Sequence, residues 1–180
     1  IALRPTTAYV DIAALRANVA ATKQHVGDAQ MMAIVKANAY GHGAVALSNV
    51  GLGDEARWLA VARVEEALEL REAEIDAPIL ILGFAPPEQV DAMIAANVSL
   101  TVWDPKQVEH IAEVAANLER PAKLHLKVDT GMSRLGVTLG HAVEMAQAIS
   151  RHSSLALEGV FTHFARADEA DPEATRAQLE

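Results

Sequence analysis

Lys36 closes an apolar run and opens a glycine-rich turn. Residues 31–43 read MMAIVKANAYGHG, so Asn38, Tyr40, Gly41, His42 and Gly43 follow the lysine within seven residues. An amine at the exit of a strand stands where α/β enzymes place reactive groups. A partly desolvated lysine loses its proton more readily than one in water, and the free amine is the nucleophile that forms Schiff bases. A surface lysine capping a strand is the plainer alternative for such a residue taken alone.

Two further stretches carry groups that could work with it. Residues 123–136 read KLHLKVDTGMSRLG. Strand alternation gives Leu124, Leu126 and Val128 one face, suited to outer helices, and Lys123, His125 and Lys127 the other, which points inward in a barrel. Three basic groups turned toward a core need partners or shifted pKa values, unless the strand is an edge with one wet face. The loop after this strand brings Asp129, Thr130, Gly131 and Arg134, the last a guanidinium fork able to grip an anion. Residues 159–171, GVFTHFARADEAD, place His163 at the C-terminal end of a strand. Lys36, Arg134 and His163 would then converge on the catalytic face of a barrel. His25, His110, His141 and His152 fall on helices or loops, and no pair has metal-ligand spacing, so no zinc site is expected.

An amine, an anion-gripping arginine and a histidine suit pyridoxal phosphate, which needs a Schiff-base lysine, a phosphate cradle and groups that control its ring charge. Gly41 and Gly43 would let the backbone approach closely, and Tyr40 offers a hydroxyl to the phosphate.

The elements that must position these groups alternate. Strands are expected at Met31–Lys36, Trp58–Ala62, Ile79–Gly83, Ser99–Trp103, Lys123–Val128 and Leu157–Phe164. Between them, an apolar stripe of Ile12, Leu15, Val19 and Val26 follows Asp11, a good N-cap. Pro86 and Pro87 introduce a helix over Glu88–Ala96, and Asp104-Pro105 opens the next. Val64–Glu74, Gly140–Ser150 and the segment from Pro172 read as further helices. Such alternation implies a parallel sheet covered by helices. Six βα units are visible where a closed (β/α)8 barrel has eight. An open doubly wound sheet would fit the length, but its G-x-G-x-x-G turn lacks a third glycine here. The chain also ends within an apparent helix at Gln178-Leu179-Glu180. The expectation is an α/β chain of the (β/α)8 type, truncated after about six units.

With 180 residues, 51% of them hydrophobic, one sizeable core and one domain are expected. The formal net charge of -9 and the lack of any Lys/Arg cluster argue against nucleic acid. Glu65, Glu66, Glu69, Arg71, Glu72 and Glu74 read as an ordinary solvated helix face. The chain has no cysteine, which excludes disulfides and a thiolate site and fits a reducing compartment. No apolar stretch reaches spanning length and the start is no signal peptide, so no membrane association and a cytoplasmic location are expected. Ile1 in place of methionine suggests that the natural N-terminus is missing.

VKANAYGHG, HLKVDTGMSRLG and GVFTHFARADEAD, in that order, resemble the signatures of the alanine racemases, pyridoxal-phosphate enzymes of fold type III with an N-terminal (β/α)8 barrel. YVDIAALRANV and WLAVARVEEALELR add supporting matches, and the resemblance spans nearly the whole chain. It implies that Lys36 holds the cofactor as the internal aldimine and then acts as the base on one face of the substrate Cα. Tyr40 would hydrogen-bond the cofactor phosphate. Arg134 would contact the cofactor's phenolic oxygen and the substrate carboxylate, and His163 would lie beside the ring. Lys127 matches a lysine that is carbamylated in several members, a change that turns a buried cation into an anion able to pair with Arg134. The implied reaction interconverts L- and D-alanine through a Cα carbanion, supplying D-alanine for cell-wall peptidoglycan.

Inversion needs a base on each face. The family's second base is a tyrosine of a C-terminal β-domain, contributed by the partner subunit of a homodimer. Tyr9 and Tyr40 are the only tyrosines here and neither matches it. The arginine that faces the pyridine nitrogen lies beyond residue 180 in the family. The resemblance therefore implies that residues 1–180 are the N-terminal part of the barrel, with the C-terminal β-domain absent, and that the isolated chain turns over little or not at all. Competing readings are a non-catalytic pyridoxal-phosphate-binding barrel for cofactor homeostasis, an amino-acid decarboxylase on the same barrel, and a structural domain in which the lysine and arginine are incidental.

Overall fold

Asp11 starts the first helix by accepting the Ala14 N–H on its carboxylate at 3.0 Å. The structure is a computed structural model and describes residues 7–51 and 55–180; Ile1 lies outside them. By their contacts the residues fall into two compact units, one ending at Ile79 and one beginning at Leu80.

In the first unit, α1 (Ile12–Val26) keeps Ile12, Leu15 and Val19 half-buried, while Val26 is exposed. Lys23 Nζ donates to the Gly27 and Ala29 carbonyls beyond the helix end. β1 (Met31–Ile34) pairs in parallel with β2 (Ala56–Val61), Ala33 lying opposite Leu59. The connection holds α2 (Lys36–Tyr40), α3 (Ala44–Ala46) and a wider turn over Leu47–Gly51. After β2, α4 (Val64–Glu72) buries Val64, Ala67 and Leu70 along one face.

The second unit opens within β3 (Ile79–Ile81). β4 (Ser99–Val102) pairs with it in parallel, Leu80 opposite Ser99. β5 (Ala122–Asp129) is next, with Leu124 opposite Leu100, and β7 (Leu155–Phe161) lies on its other side with Leu157 opposite Leu124. β6 (Val137–Thr138) adds two residues beside the end of β5. A 3-10 turn at Pro87–Gln89 leads into α5 (Val90–Ala95). Asp104 caps α6 (Pro105–Asn117) in a reciprocal box with Gln107, with proline at the first helical position. α7 (Leu139–Ser150) and α8 (Glu173–Leu179) complete the elements. Leu80, Ile81, Leu100, Val102, Leu124 and Leu126 form the buried core of the sheet. Val108, Ile111, Ala112 and Ala115 bury one stripe of α6, as do Met145 and Ile149 of α7.

The six strands expected from the sequence are all present, their ends shifted by three residues at most. In the second unit β3, β4, β5 and β7 lie side by side with no reversal of order, whereas a doubly wound sheet reverses at its switch point. The fold is therefore α/β of the (β/α)8 barrel type, carried through about six βα units. Among the described residues no helix is long and apolar enough to cross a membrane.

Candidate active site

Val35 is 3% exposed and donates its N–H to the Ala60 carbonyl at 2.9 Å, so β1 is pinned to β2 up to the residue before the lysine. Lys36 then leaves the sheet half-buried. The next four residues, Ala37, Asn38, Ala39 and Tyr40, have φ between +51° and +55°, a full turn of left-handed helix. Each such residue costs about 1–2 kcal/mol for an L-amino acid, so the turn persists only because its surroundings impose it. The Ala39 N–H donates to Val35 O at 2.8 Å, and the Gly41 and Gly43 N–H groups both donate to Asn38 O at 3.0 Å. The Asn38 side chain accepts from Ala44 N at 2.8 Å. The Ala37 N–H donates to Glu66 Oε1 of α4 at 2.7 Å.

Gly41 and Gly43 continue at φ +87° and +93°, where side chains are strained. A Cβ at Gly41 would meet nothing within 4 Å, and one at Gly43 only Ala46 Cβ at 3.8 Å, so the turn leaves room beside its backbone. Tyr40 is 63% exposed, with Lys36 Nζ at 6.0 Å from the centre of its ring.

In the second unit β5 is an interior strand, paired on both sides, which removes the edge-strand alternative. Its basic face is answered from β7 and β4. Glu158 lies 3.8 Å from Lys123 and 3.7 Å from His125, and accepts the Ser99 hydroxyl at 2.6 Å. Burial lowers the pKa of His125, with Glu158 opposing the shift. Lys127 is 5% exposed, and its Nζ sits 4.4 Å from the centre of the Phe161 ring. Burial, and secondarily the charge of Arg134, hold the Lys127 pKa below its ordinary value, with Asp129 opposing.

A depressed lysine pKa means that the unfolded chain binds more protons than the folded one between the folded pKa and the ordinary value near 10.5. Stability should therefore rise with pH through that window. Lys127→Met keeps the stem and drops the charge. In carbonate-free buffer it is expected to raise the unfolding free energy at pH 7 by about 1–3 kcal/mol, with the gain shrinking as pH rises toward 10. Urea midpoints of both proteins across pH 7–10 check this, and a constant gap would refute it.

Beyond β5, Asp129 Oδ1 accepts from Gly131 N at 3.0 Å and Ser133 N at 2.9 Å, closing the loop that carries Arg134. These bonds, Ser133 foremost, hold its carboxyl below the usual carboxylate range. Arg134 is exposed, as is His163, two residues past the end of β7. Thr130 and Thr162 share a hydroxyl hydrogen bond at 2.7 Å, joining the loop after β5 to the segment after β7. Gln178 of α8 ties both: Nε2 donates to Thr130 Oγ1 at 2.8 Å and to His163 O at 3.1 Å, and Oε1 accepts from Ala165 N at 2.8 Å. Arg134 and His163 thus belong to one connected set of loops beyond β5 and β7, Lys127 to β5 itself, and Lys36 and Tyr40 to the turn of the first unit.

Two residues of the α4 surface are not solvated in the way their composition suggests. Glu66 is half-buried and accepts three backbone N–H groups. Arg71 donates to the Ile75 and Ala77 carbonyls, and burial lowers its pKa against the pull of Asp76. Gln178, Glu158 and Thr162 also escape sequence reasoning; only Glu158, on a strand beside three basic residues, carries a usable sign, that of charge. Among the described residues no cluster of three or more His, Asp or Glu side chains could hold a metal ion.

The family model described as alanine racemase, N-terminal domain, matches residues 10–180. An alanine racemase of Symbiobacterium thermophilum is 42% identical over 178 residues, 99% of this chain and 47% of that protein. Among solved structures, alanine racemase of Clostridium difficile 630 in complex with cycloserine gives a TM-score of 0.88 at 36% identity, over 92% of this chain and 46% of that one. A histidine racemase from Leuconostoc mesenteroides subsp. sake gives the same TM-score at 27% identity, over 93% and 45%. The chain spans just under half the length of these relatives. Through a match that carries the lysine turn, the basic strand and both loops, the chain belongs to the alanine racemase family, by its N-terminal domain.

Proposed function

We propose that the complete gene product carrying this chain is a pyridoxal-phosphate-dependent alanine racemase, acting in the cytoplasm as a homodimer. The observation that carries the reading is the half-buried residue Lys36 at the exit of β1, immediately before a left-handed turn with open space at Gly41 and Gly43. That donor set fits a phosphorylated aldehyde: a nucleophilic amine, a turn backbone that a phosphate can approach, and the Tyr40 hydroxyl beside it. When bound, the cofactor supplies an electron sink for negative charge at the substrate Cα.

Lys36 Nζ would hold the cofactor covalently, and its amine, when free, would move the proton on one face of the substrate Cα. Tyr40 would donate to the phosphate. Arg134 would pair with the substrate carboxylate through its fork and contact the phenolic oxygen, and His163 would flank the ring. Lys127, held neutral more readily than an exposed lysine, can add carbon dioxide with release of a proton; the carbamate would pair with Arg134 and orient it. The base for the opposite face and the group facing the pyridine nitrogen come from outside residues 1–180, so this chain alone turns over little.

Alanine is the proposed substrate because, among the solved structures, the alanine racemase of Clostridium difficile is 36% identical against 27% for the histidine enzyme of the same fold. The test is the complete gene product with pyridoxal phosphate and L-alanine in deuterated water. D-alanine bearing deuterium at Cα is expected, with kcat/KM at least about tenfold above that for histidine. Cofactor binding without exchange at Cα would favour the cofactor-carrier alternative.

A further inference from the structure

We propose that Glu66 is a positioning residue for the Lys36 amine, setting the direction in which the lysine leaves β1. The inference rests on the reading of Lys36 as the cofactor-holding amine. Glu66 is the third residue of α4, and its Oε2 accepts from Ala62 N at 2.8 Å and Arg63 N at 3.0 Å. A glutamate at this position ordinarily serves only the start of its own helix. Here the second oxygen, Oε1, reaches back 29 positions and accepts from Ala37 N at 2.7 Å.

That N–H belongs to the peptide unit shared by Lys36 and Ala37. Fixing its direction fixes ψ of the lysine and the entry of the chain into the left-handed turn, where Ala37 has φ +51°. Alanine has neither the freedom of glycine nor the local side-chain bonding that helps asparagine in this conformation, so an outside contact must impose it. The turn is held downstream by the Val35–Ala39 bond and by Asn38. Upstream, the Glu66 carboxylate links it to the frame of β2 and α4. An ångström of misplacement at a reacting group can cost about a hundredfold in rate.

The test compares the complete gene product with Glu66→Ala, Glu66→Gln and Glu69→Gly. The readouts are the rate of covalent adduct formation between Lys36 and added pyridoxal phosphate, trapped with borohydride and located by peptide mapping, its pH profile, and the thermal midpoint. Glu66→Ala is expected to slow adduct formation at least about tenfold and displace the pH profile. Glu66→Gln, which keeps one acceptor oxygen, should fall between. Glu69→Gly weakens the exposed face of α4 and should lower the thermal midpoint while leaving rate and profile unchanged. Wild-type rate and profile in a folded Glu66→Ala, or in Glu66→Gln should the alanine variant not fold, would overturn the inference; so would equal slowing by Glu69→Gly. Absence of the adduct in the unsubstituted protein would overturn the Lys36 reading and this inference together. Its presence there with no effect at Glu66 overturns this inference alone.

Discussion

Replacing Lys36 by alanine in the complete gene product is expected to abolish borohydride-trappable pyridoxal phosphate and to lower racemisation by about 10^4-fold or more. On the proposed reading two functions would be lost at once, the covalent hold on the cofactor and the base on one face of Cα, so residual turnover should not recover at high cofactor concentration. The fold should survive. Lys36 is half-buried after a strand pinned by Val35, and its removal leaves the Ala37–Glu66 and Val35–Ala39 bonds untouched. A shift in unfolding free energy within about 1 kcal/mol is expected. Lys36→Arg sharpens the result. It keeps the positive charge and much of the stem, but a guanidinium that never deprotonates cannot condense with an aldehyde. If Lys36→Arg retained more than about a hundredth of the activity, the role of the residue would be electrostatic and the proposed chemistry would fail.

Lys36 stands out in the amino-acid sequence, whereas the groups that surround it do not. Apolar runs of strand length announce β1 through β5 and β7, and Asp11 and Asp104-Pro105 announce two helix starts; these signals are local, and local geometry honours them. β6 is two residues long and too short to leave a pattern. The left-handed turn after Lys36 is invisible in Ala-Asn-Ala-Tyr, apart from the tolerance of Asn38 for that conformation, since one of the groups bonded to it is a carboxylate 29 positions away. Glu66 is hidden for a related reason: the N-cap of α4 is Arg63, so the Ser/Thr/Asp/Asn signature of a capping box is missing, and an acidic helix face reads as solvent-facing. The three basic residues on one face of β5 are a legible difficulty with an illegible answer. Glu158 serves two of them from β7, and the third, Lys127, is left against Phe161 with a lowered pKa. Gln178 gives no sign at all in a polar helix, yet its amide spans both loops. Chemistry-bearing residue types are visible one at a time. The groups that aim them are visible only once distant segments meet.

Gly136→Ala is expected to be strongly destabilising, costing about 3 kcal/mol or more, although it adds a single carbon at an incompletely buried loop position. Gly136 has φ +127°, outside the range an alanine adopts without strain. Its added Cβ would lie 2.6 Å from Asp129 N and 2.8 Å from Val128 C, both backbone atoms of β5 that no rotamer change can move aside. Relief would require parting the end of β5 from the returning chain, where Val128 faces Val137 and Asp129 faces Thr138. That would also disturb Asp129, whose carboxylate closes the Gly131–Ser133 turn and so sets where Arg134 emerges. Loss of stability and loss of substrate-carboxylate binding should therefore appear together, the second as a raised KM in whatever protein still folds. Gly140→Ala, four residues on, supplies the contrast. Gly140 is the second residue of α7, a Cβ there meets nothing within 4 Å, and the substitution should stabilise by up to about 0.5 kcal/mol, less than in a helix interior. Urea titrations of the two variants measure opposite signs if close backbone packing governs position 136. Equal shifts would mean that the loop yields freely, and that the path from Asp129 to Arg134 is not held by packing at all.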